Sequence, residues 1–292
     1  MSDDSSMTES QIPLIIGFVE DLLFSSKIEV IAEQMGYRVI WRDRADQIFQ
    51  DEHDVSPLQL ADHVFGSEWI LLDKITRWHP ALMVFDLSNN KIPWRDWLPL
   101  IKSSPATRRI PVICFGSHVD AQAFRDAKSA GADAVLARSQ FITKLPELLQ
   151  KYSRLPNSTQ MAEVCGQVLS KQAIKGLEQF NRGEYFEAHE SLEEAWNDDD
   201  TPGRELYRAI LQVAVAYLQI ERKNYLGAVK MFLRLRQWID PLPDTCRGVN
   251  VAQLRRDTDT VYEALIQLGA DRIYEFDEAL FHNVSYALDM SE

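Results

Sequence analysis

The densest chemistry in the chain lies in one stretch, FEAHESLEEAW, from Phe186 to Trp196. On a helix, Glu193 falls about 40° from His189 and Trp196 about 20° to the other side. Imidazole, carboxylate and indole therefore share one narrow stripe, flanked by Tyr185 and Leu192. The stripe reads as an apolar face, which aims His189 and Glu193 inward, where buried polar groups need partners. Gln212, set inside the apolar run from Ala209 to Ile220, is the partner the pattern offers. Three readings stand side by side. His189, Glu193 and Gln212 form a polar lock between helices. Alternatively, His189 and Glu193 share a divalent metal such as zinc or manganese, or they work as general acid and base. A metal needs a further ligand, and His282 is the other histidine of this half. The lock is the simplest of the three and requires no cofactor.

A second candidate is Asp86, which ends the apolar run of PALMVFDL at 80–87. Glu20 and Asp21 follow another apolar run at 12–19, and Arg138 follows a third, in AGADAVLAR at 130–138. The triplet Asp198-Asp199-Asp200 has the charge to bind a hard cation, but before Pro202 it reads as a solvated loop that caps a helix. Trp69, Trp78, Trp94 and Trp97 sit at apolar helical spacings and read as core. The chain has no Gly-rich phosphate loop, nucleophile elbow or paired-cysteine zinc motif.

Two architectures must position these groups. Short apolar runs at 12–19, 37–41, 81–85, 110–115 and 134–136 read as strands, with helical patterns near 21–35, 93–103, 120–130 and 141–152. That alternation predicts a parallel sheet covered on both faces, the α/β class. About twenty extra residues near 43–79 separate the second and third strands. After Tyr152, the polar stretch 153–159 reads as a linker. Beyond it the periodicity is helical, over 160–181, 184–197, 203–222, 225–239 and 251–268, so this half is expected to be all-α. The predicted organisation is a disordered tail at 1–10, an α/β domain at 11–152 and a helical domain at 160–285. Tyr185, Ala188 and Leu192 recur forty residues later as Tyr225, Ala228 and Phe232. The repeat predicts paired helical hairpins of tetratricopeptide-like form.

Each half also resembles a known family. Around PALMVFDL, IPVICFGS and AGADAVLAR, residues 11–152 resemble bacterial response-regulator receiver domains, whose sheet is flavodoxin-like. The resemblance implies that Asp86 stands at the phospho-acceptor position. Receiver chemistry also uses an acidic pair for magnesium, a hydroxyl after the fourth strand and a lysine after the fifth. Here Glu20 and Asp21 lie near the acidic pair, with Val19 and Glu20 at the expected places. Gly116 replaces the hydroxyl, with Ser117 beside it. Arg138 replaces the lysine, and Ser139 the proline after it. These departures imply an inactive pseudo-receiver used for docking or dimerisation. The His-x-x-x-Glu-x-x-Trp pattern, with LYRAILQVAVAYLQIERKNYLGA and LPDTCRGVNV, resembles domain of unknown function 309 over about 170–255. That resemblance implies a small helical bundle in which His189, Glu193 and Trp196 are suspected of metal binding, without an established reaction.

Composition narrows the partners. The 292 residues carry 31 basic and 44 acidic side chains, a net charge of −13. A nucleic-acid binder needs a cationic surplus to displace phosphate counterions, and neither half has one. No apolar run approaches the ~20 residues of a membrane span. The acidic opening MSDDSSMTESQ is unlike a basic leader. Three cysteines, distant in sequence and forming no metal-type pair, fit a reducing cytoplasm. The expected function is a non-enzymatic signalling or scaffold protein that binds a protein partner or a second copy of itself. The alternative is a metal-dependent hydrolase centred on His189 and Glu193.

Overall fold

A computed structural model of the chain describes residues 12–50, 57–60, 66–153 and 158–287. The tail at 1–10 and residues 154–157 of the expected linker lie outside them. The chain divides into two units, Met1–Val55 with Ser67–Leu155, and Ser56–Gly66 with Pro156–Glu292.

The first unit runs β1 (Leu14–Phe18), α1 (Leu22–Gln34), β2 (Arg38–Trp41) and α2 (Asp46–Phe49). One turn, α3 (Pro57–Leu60), is assigned to the second unit. The first unit resumes with α4 (Ser67–Trp78), β3 (Leu82–Asp86), α5 (Trp94–Ser103), β4 (Val112–Gly116), α6 (Ala121–Ser129), β5 (Ala134–Ala137) and α7 (Arg138–Tyr152). The five strands are parallel in the order β2-β1-β3-β4-β5, the flavodoxin-like doubly wound arrangement. The three inner strands are buried at every position, which explains their unbroken apolar runs.

Alternation along each strand splits the core in two. Leu14, Ile16, Phe18, Met83 and Phe85 join the side that includes Trp94 and Trp97 of α5. Ile15, Leu82, Val84 and Phe115 join the side that includes Phe141 and Leu145 of α7. The extra residues between β2 and β3 contribute α4, whose Leu71 and Ile75 enter the first of these layers. Of the four tryptophans read as core, Trp94 and Trp97 are buried, while Trp69 and Trp78 are half-buried. On β1, Gly17 leaves room for the Trp41 indole, because a Cβ there would lie 2.1 Å from the ring.

The second unit continues with α8 (Ser158–Cys165), α9 (Lys171–Asn181), α10 (Tyr185–Asp198), a 3-10 turn at Pro202–Arg204, α11 (Glu205–Glu221) and α12 (Tyr225–Ile239). A small hairpin of β6 (Thr245–Cys246) and β7 (Val249–Asn250) precedes α13 (Val251–Leu268), and α3 packs against α13 with Leu58 buried. The forty-residue repeat marks equivalent helix starts. Tyr185 opens α10 and Tyr225 opens α12, and both repeat triplets are buried. Helices α9 and α10 approach closely because Gly176 has no side chain to meet Leu192, which a Cβ would touch at 2.7 Å.

Three expectations need correction. The helical window 160–181 is two helices: α8 ends at Cys165, and α9 starts afresh at Ser170, whose hydroxyl accepts the Ala173 N–H at 3.1 Å. The helical half also contains the β6–β7 hairpin. Cys165 and Cys246, read as unpaired, form a disulfide, so the cysteine count no longer argues for a reducing compartment. Among the described residues no helix is long and apolar enough to cross a membrane.

Gly17→Ala should cost about 1–3 kcal/mol in urea unfolding, because a methyl group is forced into the Trp41 ring. Trp41→Val in the same chain should recover much of that loss.

Candidate functional site

The α/β unit gathers its charged groups at the carboxyl edge of the sheet. Asp86 is the last residue of β3, and its side chain is 2% exposed. The Ser88 N–H donates to Asp86 Oδ1 at 2.9 Å, and Arg138 Nη2 meets Oδ2 at 2.5 Å. The other arm of the same guanidinium donates to Asp21 Oδ2 at 2.9 Å. Asp21 is the N-cap of α1, its Oδ1 accepting the N–H groups of Leu23 and Phe24, both at 3.1 Å. The Arg138 guanidinium also lies over the rings of Phe24 and Phe115, 4.9 and 5.7 Å from their centroids. One cation thus bridges two carboxylates, an arrangement suited to the planar fork of arginine.

Glu20 is not part of this group. It pairs with Lys91 at 2.7 Å, and both side chains are about half exposed. Asp21, one position later than the spacing suggested, is the carboxylate that shares a cation with Asp86. Val19 is buried in the core. At Gly116 a Cβ would sit 3.2 Å from that of Leu87, so the hydroxyl position is crowded as well as vacant, and Ser117 beside it is exposed.

In the helical unit, the inward face of α10 is Tyr185, Ala188, Leu192 and Ala195. This corrects the sequence-based stripe. His189 and Trp196 sit half-buried at the border of that face, and Glu193 is exposed. Gln212 is buried, but its Oε1 has no hydrogen-bond partner, and no hydrogen bond joins it to His189 or Glu193. Trp196 keeps cationic company instead. Arg208 lies 4.6 Å from its ring centroid and 3.8 Å from that of Trp238, with Arg204 at 5.2 Å from Trp196. His282 is exposed. Among the described residues no three His, Cys, Asp or Glu side chains converge as a metal ion requires.

A highly connected polar residue of this unit is not among the sequence-based candidates. Arg247, with its side chain 4% exposed, pairs with Asp199 at 2.6 Å and donates to Thr201 Oγ1 at 2.9 Å, to the Tyr207 hydroxyl and to the Val164 carbonyl. Gly203 makes room for it, since a Cβ there would lie 2.7 Å from Nη2. Arg247 and Gly248 form the two-residue turn between β6 and β7, with φ of 52° and 80°. Positive φ at both positions is the twist a tight hairpin needs. The usable signal was the Arg-Gly pair in LPDTCRGVNV, a turn dipeptide between strand-like residues. Asp199 is accordingly no solvated loop charge. Burial alone would raise its carboxyl pKa, but hydrogen bonds from Thr201 and Arg247 outweigh that and hold it below the ordinary range.

Comparison with known proteins follows the same division. Residues 173–231 match the family described as Domain of unknown function (DUF309). The match ends before Arg247, so LPDTCRGVNV lies beyond it. The first half is similar to response-regulator structures. The phosphorylated cyanobacterial phytochrome response regulator RcpA is 16% identical, with a TM-score of 0.36 over 50% of this chain and 99% of that one. A response regulator in red light signaling of R. palustris is 15% identical, with a TM-score of 0.35 over 50% and 99%. No curated protein matches the chain.

Two predictions follow from these charge groups. A double-mutant cycle of Asp86→Asn and Arg138→Met, read by urea unfolding, should give a coupling of about 1–3 kcal/mol. Arg138→Met leaves the buried Asp86 without its cation, whereas after Asp86→Asn the guanidinium keeps Asp21, so Arg138→Met should cost less in the Asp86→Asn background. For Asp199 the lowered folded-state pKa sets the sign. Its contribution is complete above the unfolded carboxyl value near pH ~4 and is lost as pH falls through the folded value. Asp199→Asn should therefore destabilise the protein near neutrality and flatten the acid limb of its stability–pH curve.

Proposed function

We propose that the chain is a non-enzymatic signalling protein, in which a pseudo-receiver is joined to a helical protein-interaction domain. The observation that carries this reading is the guanidinium of Arg138 lying between Asp86 and Asp21. In a working receiver, carboxylates so placed hold a divalent cation while the aspartate accepts a phosphoryl group. Here a covalently attached cation pairs with both carboxylates and offsets one of their two charges, and a metal entering between them would have to displace a charge-assisted pair at 2.5 Å. A permanent bridge also removes the difference between two charge states on which switching would depend.

The partner in this reading is a protein or a second copy of the chain. A net charge of −13 supports that over nucleic acid. Leu22 and Leu23, directly after Asp21, are 79% and 80% exposed and give the bridged end of the sheet an apolar rim. Among the described residues no third His, Cys, Asp or Glu converges on His189 and Glu193, which favours this reading over a metal-dependent hydrolase.

The reading is tested by incubating the full chain with acetyl phosphate and Mg²⁺ and weighing the intact protein. The expected result is no stable adduct on Asp86. Stoichiometric phosphorylation that disappears in Asp86→Asn would overturn the pseudo-receiver.

A further inference from the structure

Helix α8 is buried at its C-terminal end. Thr159, Ala162 and Glu163 are exposed and Met161 is half-buried, whereas Val164 and Cys165, its last two residues, are buried. At that end the helix is held by the Cys165–Cys246 disulfide and by two bonds from the next residue of the hairpin. The Arg247 N–H donates to the Cys165 carbonyl at 2.6 Å, and its Nε–H to the Val164 carbonyl at 3.3 Å. The 3-10 turn at Pro202–Arg204 packs alongside. The other partners of Arg247, namely Asp199, Thr201 and Tyr207, all lie between the end of α10 and the first turns of α11 and do not depend on α8. The hairpin and its arginine are thus anchored to the bundle independently of the helix they hold.

We propose that Cys165–Cys246 is a redox-operated clasp on α8. Oxidised, it pins the helix to the hairpin. Reduced, it lets α8 leave while the bundle from α9 to α13 stays folded. An eight-residue helix released from its contacts does not persist in water, so release also unwinds it. The chemical step is thiol–disulfide exchange with a dithiol. The S–S bond breaks and two S–H groups form on Cys165 and Cys246, while the dithiol gives up two electrons and two protons and closes into its own disulfide. Both cysteines are buried, so the dithiol reaches a sulfur only when local fluctuation of the surrounding contacts exposes it with the S–S bond still in place. The third thiol does not compete. Cys114 lies in the core of the sheet, where burial pushes its pKa far up and leaves it without thiolate. The clasp is independent of the phospho-acceptor reading.

The test uses the full chain in oxidised form, after dithiothreitol, and as the Cys165→Ser/Cys246→Ser double variant. Alkylation after denaturation counts free thiols, and hydrogen exchange read by mass spectrometry follows each helix. One labelled cysteine is expected before reduction and three after. Exchange over residues 158–165 should accelerate at least tenfold on reduction and return with glutathione disulfide, while α10 to α12 change less than twofold. The double variant should behave as the reduced protein. Three free thiols in oxidising buffer, or unchanged exchange in α8 on reduction, would defeat the proposal. So would acceleration spread evenly from α9 to α13, which would mark a staple for the whole unit. A double variant with the oxidised pattern would show that the disulfide is not what holds the helix.

Discussion

A carboxylate taken almost wholly out of water must keep a counter-charge, and in the α/β unit that constraint acts on Asp86. The fold puts it there. A parallel sheet ends all its strands on one edge, so the last residue of β3 faces the loops that follow β1 and β5. Arg138 answers from the start of α7, and its second arm reaches the N-cap of α1. Three elements distant in sequence are therefore joined by one side chain. A lysine ammonium is a point charge and a bound metal is exchangeable, whereas this guanidinium is permanent and directional.

The helical unit meets a similar demand differently. Arg247 is buried not at a strand end but in a two-residue hairpin turn, at a positive φ that a long side chain such as arginine rarely adopts. Its hydrogen bonds to Val164, Thr201 and Tyr207 and its ion pair with Asp199 compensate, and they bring the loop before α11 and the end of α8 onto the hairpin. In both units an arginine organises the structure by satisfying acceptors from several elements. The stripe of His189 and Glu193 on α10 has no comparable set of bonds, and Trp196 is drawn instead to Arg204 and Arg208.

Much of the fold was legible because periodicity reports burial. Unbroken apolar runs marked β1, β3 and β4, and the forty-residue recurrence of Tyr185 and Tyr225 marked where α10 and α12 begin. The candidate sites were less legible. A stripe calculated at 100° per residue has no absolute orientation, and its zero point is set by what the helix packs against. For α10 the packing chose Ala188 and Leu192, leaving Glu193 in solvent. Likewise, spacing placed Glu20 nearest the receiver pattern, but α1 needed an N-cap, and capping turned Asp21 toward Arg138.

The sequence by itself determined the two architectures, their order along the chain and the identity of the residues at the strand ends, because these follow from local patterns of apolar and polar side chains. Tertiary structure alone decided the pairings: Arg138 with Asp86 and Asp21, Arg247 with Asp199, and Cys165 with Cys246 across 81 residues. Each joins groups far apart in the chain, and no local pattern encodes a distance that exists only after the backbone between them has folded.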